Sequence, residues 1–256
     1  MATRVSGSSR LYAWRFRLVY LALIVLAGLG LGLAVTIWSQ PEPKPPPPWS
    51  TWKPQAKDNL ARVRQIASHI AGQYDVPGAG KMVEIRGGPL VLAGKALLLA
   101  ERPNAKTNSV ALVPGTTVEY TLCGSATNCG VKSVPASTAG VLMRRASYEL
   151  ALYTLKYVGS ARNVVVFMPP VLGQPRRVLV VRRAEVRSAL ARPLRLPAKP
   201  PRVNEHDAEL IALATDPFVY HFTLAALGQN KDPALVVDPV TLAAPKKLPA
   251  KAKITA

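Results

Sequence analysis

The sequence predicts an α+β domain that is carried on one N-terminal membrane helix and a proline-rich stalk. Three observations predict this plan: an early unbroken apolar run, a cluster of prolines directly after it, and helix and strand patterns in the remainder. The predicted segments are a basic cytoplasmic tail (1–17), a transmembrane signal anchor (18–38), a proline-rich linker (39–54), an extracytoplasmic α+β domain (55–244) and a disordered basic tail (245–256).

The anchor begins at Leu18 and ends at Trp38. The 20 residues from Leu18 to Ile37 carry no charge, and as a helix they match the thickness of a bilayer's hydrocarbon core. Four arginines and no acidic residue in 1–17 indicate a cytoplasmic N-terminus, so the bulk of the chain faces outside. The alternative is a cleaved secretory signal, whose apolar core is shorter and ends in a small-x-small site. The length favours an uncleaved single-pass anchor in the lipid bilayer of the cytoplasmic membrane.

The linker contains seven prolines among the sixteen residues 39–54. Proline removes backbone donors and favours extended polyproline II, so we expect a semi-rigid stalk. Trp49 and Trp52 near its end are expected to pack either on the membrane interface or on the first helix of the domain.

Three segments of the domain have helical patterns. Residues 58–71 and 141–158 repeat apolar positions at helical spacing, and 141–158 is apolar on most of its circumference, which predicts a helix buried between layers. Residues 204–214 form a short helix that Asn204 can cap.

Two polar features of these helices are predicted to lie at the surface. Arg145, Glu149 and Lys156 form a narrow strip on the second helix, which we interpret as exposed ion pairs. His69 lies on the polar side of the first helix and is interpreted as a solvated histidine.

Strand patterns fill much of the remaining domain. Residues 163–168 are apolar and largely β-branched, which predicts a central strand covered on both faces, and 177–181 can pair antiparallel with it. Together with the helices, this predicts a mixed or antiparallel sheet packed by two or three helices. The other predicted strands lie within 81–85, 89–100, 109–113, 116–122, 219–224 and 234–237.

The two cysteines, Cys123 and Cys129, are separated by five residues. In the oxidising compartment that the topology predicts, this pair favours a structural disulfide, with free thiols as the alternative. The spacing is not the CxxC of redox sites, and zinc would need further ligands nearby. We therefore predict neither a metal nor a cofactor.

The formal charge is +19, and removing the four arginines of 1–17 leaves +15 on the outer part. Outside a cell, such a charge favours lipid headgroups or anionic wall polymers as partners, and nucleic acid is not expected. Alternatively, the charge only maintains solubility and reflects an arginine-rich composition. The positions of the tail predicted to contact an anionic surface are Lys246, Lys247, Lys251 and Lys253.

Catalytic motifs are scarce in this sequence. No GxSxG, Walker or HExxH pattern occurs, and the acidic residues are few and scattered. The candidates that remain are His206 and Asp207, at the start of the 204–214 helix, and His221. Capping already explains an acidic residue at a helix start, so the sequence leans against catalysis.

The richness in proline, alanine and arginine is typical of a high-GC bacterial genome. The predicted function is therefore a noncatalytic binding or accessory subunit of a bacterial envelope assembly for secretion, division or wall synthesis, with a protein partner in that complex. The alternative is an envelope hydrolase that acts on cell-wall or lipid substrates with His206 and neighbouring acids.

Overall fold

The computed structural model divides the chain into two compact units, Met1–Pro47 and Pro48–Ala256. In the first unit, residues 17–29 form a helix with exposed side chains, including Leu18. Within the described residues, no helix combines the length and apolarity that crossing a bilayer requires. The predicted end of the anchor, Trp38, lies outside the described residues, as does the linker up to residue 47. The structure describes residues 14, 17–29, 48–76, 80–81, 84–92, 94–103, 109–123, 136–169, 176–197, 200, 202–240 and 254–255.

Side-chain caps fix the start of two helices in the second unit. The carboxylate of Asp58 accepts a hydrogen bond from Ala61 N at 2.8 Å, and the Asn204 side chain accepts one from Asp207 N at 2.7 Å. The cap predicted at Asn204 is confirmed. The described helices of this unit are α1 (Asn59–Gln73), α2 (Ala136–Tyr157), α3 (Arg187–Ala191) and α4 (Glu205–Thr215), with a 3-10 turn at Asp216–Phe218.

The described strands are β1 (Asp75–Val76), β2 (Gly80–Lys81), β3 (Ile85–Pro89), β4 (Val91–Leu92), β5 (Lys95–Ala96), β6 (Leu98–Glu101), β7 (Val110–Leu112), β8 (Thr116–Leu122), β9 (Ala161–Phe167), β10 (Arg177–Arg182), β11 (Val219–Leu227), β12 (Asp232–Pro239) and β13 (Ile254–Thr255). Nine of them form one sheet in the order β13-β7-β6-β12-β11-β10-β9-β8-β3.

The large sheet is mixed. The pairs β8–β9, β6–β12 and β7–β13 are parallel, and the other neighbours are antiparallel. Helix α2 lies between the parallel strands β8 and β9 in sequence, as a crossover connection requires. The predicted α+β class with a mixed sheet and several helices is confirmed.

The predicted central strand is confirmed as β9. Val164, Val165 and Val166 are fully buried, because both faces of the sheet are covered there. Strand β10 pairs antiparallel with β9, and Arg182 lies opposite Asn163 at the end of the ladder. This register brings the first residues of β9 beside the last residues of β10.

Different elements cover the two faces of the sheet. On one face, α1 and α2 bury Val164, Val166 and Leu179 in the larger core cluster. On the other face, Leu90 and Leu97, which flank the β4–β5 hairpin, pack against Val165. Burial on both sides explains why the central strands are continuous apolar runs.

Residues 48–56, which we call the strap, pack on the helices of the domain. Trp49 is buried, and its indole Nε1 donates to Ala189 O at 3.1 Å. Trp52 stacks on His69 of α1. Of the two environments expected for the tryptophans, the structure therefore shows packing on the domain, and the ordered domain includes the last residues of the predicted linker.

The predicted exposed strip on α2 is wrong for two of its three residues. Arg145 and Glu149 are buried, and Arg145 Nη1 contacts Glu149 Oε2 at 2.7 Å and Tyr74 Oη at 2.6 Å. Arg145 Nε also donates to Pro197 O at 2.9 Å. Tyr74 follows the end of α1 and Pro197 lies in the segment after α3, so helix periodicity alone could not reveal that they cover this side of α2. Lys156 is exposed, as predicted.

Candidate functional site

Cationic groups surround a cavity where β9 begins and β10 ends. A groove of about 710 Å³ is lined there by Arg162, Arg182, Arg183 and Arg187, which we call the arginine groove. Val113, Pro114, Leu190 and Ala191 are among its apolar lining residues. The groove therefore combines apolar lining residues with four guanidinium-bearing side chains.

The turn before β8 shapes one wall of this groove. Gly115 has a φ of +99°, and a Cβ at this position would lie 2.6 Å from the Cβ of Arg162. Asn163 Nδ2 donates to Pro114 O at 3.1 Å and to Thr117 Oγ1 at 3.3 Å, which holds the turn against β9. A glycine here lets the turn lie directly against Arg162.

Two of the four arginines have partners within the domain. Arg183 donates to Ala161 O at 3.0 Å and to Val158 O at 2.9 Å. Arg182 forms salt bridges with Glu101 at 2.5 Å and with Glu185 at 3.0 Å. Burial, and then the neighbouring Arg162, lower the pKa of Arg183, which shows that positive charges are close together here. These two side chains mainly build the wall of the groove.

The other two arginines are available to a ligand. Arg162 and Arg187 are exposed, and neither forms a salt bridge with another residue in the described part of the chain. Guanidinium groups bind carboxylates and phosphates through paired hydrogen bonds. The arrangement suits an anionic ligand and contains no nucleophile among its lining residues.

The sequence analysis did not single out these arginines. A signal for them was present: Arg162 precedes the predicted central strand, while Arg182 and Arg183 follow the next one. Because the two strands pair antiparallel, the start of one meets the end of the other, and the charges converge.

The three catalytic candidates lie in different environments. His206 is exposed and Asp207 is half-buried in the first turn of α4, where the Asp207 backbone N–H is capped by Asn204. His221 is instead buried in β11, opposite Arg177 of β10 and Asp238 of β12.

His221 belongs to a buried polar cluster on one face of the sheet. Arg102 Nε lies 3.2 Å from Asp238 Oδ1, and both side chains are buried. Burial raises the pKa of Asp238, while the charges of Arg102 and His221 oppose that rise. Asp238 approaches His221 because the register of β11 and β12 places the two residues opposite each other.

The other predicted site residues are only partly described. Cys123 is disulfide-bonded, and Cys129, the other cysteine of the sequence, lies outside the described residues. Lys246, Lys247, Lys251 and Lys253 also lie outside them. Among the described side chains, no group of three or more His, Cys, Asp or Glu residues is arranged to hold a metal ion.

No protein-family model, curated protein or solved structure matches this chain.

Proposed function

We propose that this chain is a single-pass membrane protein of the bacterial envelope whose extracytoplasmic domain is a noncatalytic binding subunit for an anionic partner. The arginine groove carries this proposal. It offers the exposed side chains of Arg162 and Arg187 together with apolar lining residues, within a chain whose formal charge is +19. An anionic partner there would gain both charge pairing and apolar contact.

The proposed location rests on the apolar run 18–37 and the arginines that precede it. In this arrangement, the strap begins about ten residues after the anchor ends, and the domain lies on the outer side of the membrane. An assembly subunit at this position would hold its partner close to the bilayer. Anionic wall polymers, lipid headgroups and acidic surfaces of envelope proteins are the anions within reach.

Protease digestion of intact cells tests the location. We expect loss of the domain, and we expect Cys123 and Cys129 to react with a thiol reagent only after reduction. A protected domain with reactive thiols would contradict the proposed orientation.

Binding by the purified full-length protein tests the role of the groove. The variant Arg162→Gln/Arg187→Gln should weaken binding of poly(glycerol phosphate), whereas Arg64→Gln/Arg202→Gln, which removes two exposed arginines elsewhere, should not. Equal affinities of the two variants would contradict an anion site in this groove.

The buried cluster of His221, Asp238 and Arg102 supports the alternative of an envelope hydrolase, because it places an imidazole beside a carboxylate. Its test is hydrolysis of cell-wall or lipid material by the full-length protein. An activity that is lost in His221→Gln with an unchanged melting temperature would favour the hydrolase over the binding subunit.

A further inference from the structure

We propose that the ligand is a linear polymer of phosphate groups joined by short polyol or sugar units, and that it crosses helix α3 and occupies a second cavity beyond it. This inference rests on the proposed function, because it takes the arginine groove as the first part of an extended track. It specifies the class of the anion and the path that the anion follows over the domain.

A second cavity lies on the other side of α3. It has a volume of about 440 Å³, and its lining includes Arg192, Arg195, Pro193 and Leu194. Both arginines are exposed, and neither forms a salt bridge within the described residues. This second cavity therefore shares exposed arginines and apolar lining residues with the arginine groove, and differs from it by the ring of Tyr148.

Helix α3 forms the boundary between the two cavities. Leu190 and Ala191 line the arginine groove, whereas Ala189 and Arg192 line the second cavity. The helix has only five residues, and an α-helix is about 10 Å across with its side chains, so the boundary is a short, narrow ridge. A flexible chain in one cavity can cross this boundary without leaving the protein surface.

Several contacts fix this boundary in place. Trp49 Nε1 donates to Ala189 O at 3.1 Å, Leu194 N donates to Trp49 O at 2.6 Å, and Lys156 Nζ donates to Leu190 O at 2.8 Å. Hydrogen bonds to the strap and to α2 thus hold α3 and the residues after it in place. Preorganisation of both cavities reduces the entropy lost when a long ligand binds.

The composition of the two linings selects the class of polymer. Neither lining contains an aspartate or glutamate, and both include apolar residues next to arginines. A lining that mixes arginines with uncharged residues suits phosphates that are separated by short uncharged units. The arginine groove has no aromatic lining residue, and the one aromatic residue of the second cavity, Tyr148, already stacks on Phe218. Successive nucleobases would therefore lack stacking partners along the track, which disfavours single-stranded nucleic acid.

The test compares long poly(glycerol phosphate) with its trimer, using full-length protein in detergent. Arg192→Gln/Arg195→Gln should weaken binding of the long polymer about tenfold and reduce the slope of log K against log salt by between about one and two. Binding of the trimer should stay unchanged, because the arginine groove alone can hold it. Arg192→Lys/Arg195→Lys, which keeps both charges, should restore most of the long-polymer affinity.

The outcomes separate the inference from the proposed function. If Arg192→Gln/Arg195→Gln keeps the affinity for the long polymer while Arg162→Gln/Arg187→Gln loses it, the extended track is wrong and the arginine groove stands. If both pairs behave like Arg64→Gln/Arg202→Gln, both proposals fail. Binding to anionic phosphatidylglycerol vesicles without binding to the soluble polymer would also overturn the inference and identify a lipid surface as the ligand.

Discussion

Trp52 and His69 stack face to face, with ring centroids 3.9 Å apart and ring planes only 4° from parallel. The contact joins the strap to α1, and Gln73 Nε2 lies 3.1 Å from His69 Nε2 on the same helix. Tyr153 of α2 closes the cluster with its ring 5.9 Å from that of His69. His69, which we interpreted from the sequence as a solvated surface residue, is thus half-buried, and its ring packs against Trp52 of the strap.

This environment predicts a pH dependence of stability. Burial lowers the pKa of His69, so the folded state favours the neutral ring and the unfolded state binds the proton more readily. The contribution of His69 to stability is therefore present above its ordinary pKa of about 6.5 and is lost as pH falls through that value and below it.

Denaturant unfolding of the wild type and of His69→Gln at about pH 7.5 and about pH 5.5 measures this effect. The wild type should lose more stability than the variant on acidification. Burial also raises the pKa of Asp238 and Glu149, so these two carboxyl groups favour the folded state as pH falls. Because both groups are present in both proteins, their effect cancels in the comparison. Equal losses in both proteins would refute the role of His69.

Trp49 should contribute strongly to stability. Its ring is buried against Tyr153 and Tyr157, at centroid distances of 5.1 Å and 5.6 Å. Trp49→Ala should lower the free energy of unfolding by about 3 to 5 kcal/mol, because it leaves a cavity and removes the bond to Ala189 O. Leu213→Ala, at a side chain that is 76% exposed, is the control and should change stability by less than about 0.5 kcal/mol.

The buried pair of Arg145 and Glu149 should be sensitive to the loss of one partner. Glu149→Gln should destabilise the protein by about 3 kcal/mol or more, because a buried guanidinium then lacks its counter-charge. Arg145→Met/Glu149→Leu, which removes both charges, should cost less than the single change. Glu84→Gln breaks an exposed pair with Arg86 and should cost less than about 1 kcal/mol. A double variant no more stable than Glu149→Gln would speak against this account.

Gly115 and Gly140 should respond in opposite directions to alanine. Gly115→Ala places a side chain at a φ of +99° and against Arg162, so it should destabilise the protein by more than about 1 kcal/mol and weaken anion binding at the groove. Gly140 lies in α2 with open space around it, and Gly140→Ala should stabilise the protein by about 0.5 to 1 kcal/mol. Thermal unfolding of both variants and of the wild type decides this prediction.

Local patterns predicted many elements of the fold. Three features are encoded within a few neighbouring residues and could therefore be predicted from the sequence. They are the helical spacing of apolar residues in α1, the Asn204 cap and the apolar run of β9. Helix α3 was not predicted, because five residues are too few to show a helical period.

The candidate site was much less predictable. Arg162 and Arg187 are separated by more than twenty residues, and their meeting depends on the β9–β10 register and on the placement of α3. His221 was singled out from its residue type, but its neighbours Asp238 and Arg102 come from β12 and from the residue after β6. Such groups meet only when the strands pair.

The sequence by itself determined the α+β class, the apolar central strand, the Asn204 cap and the net positive charge, since composition and short-range patterns set these properties. Only the tertiary structure decided which charges are buried and which face a cavity. Arg145 is buried because Tyr74 and the segment at Pro197 cover it, whereas Arg162 is exposed at the end of a strand. Burial of a charged side chain depends on what other parts of the chain pack over it, and that information is not local in sequence.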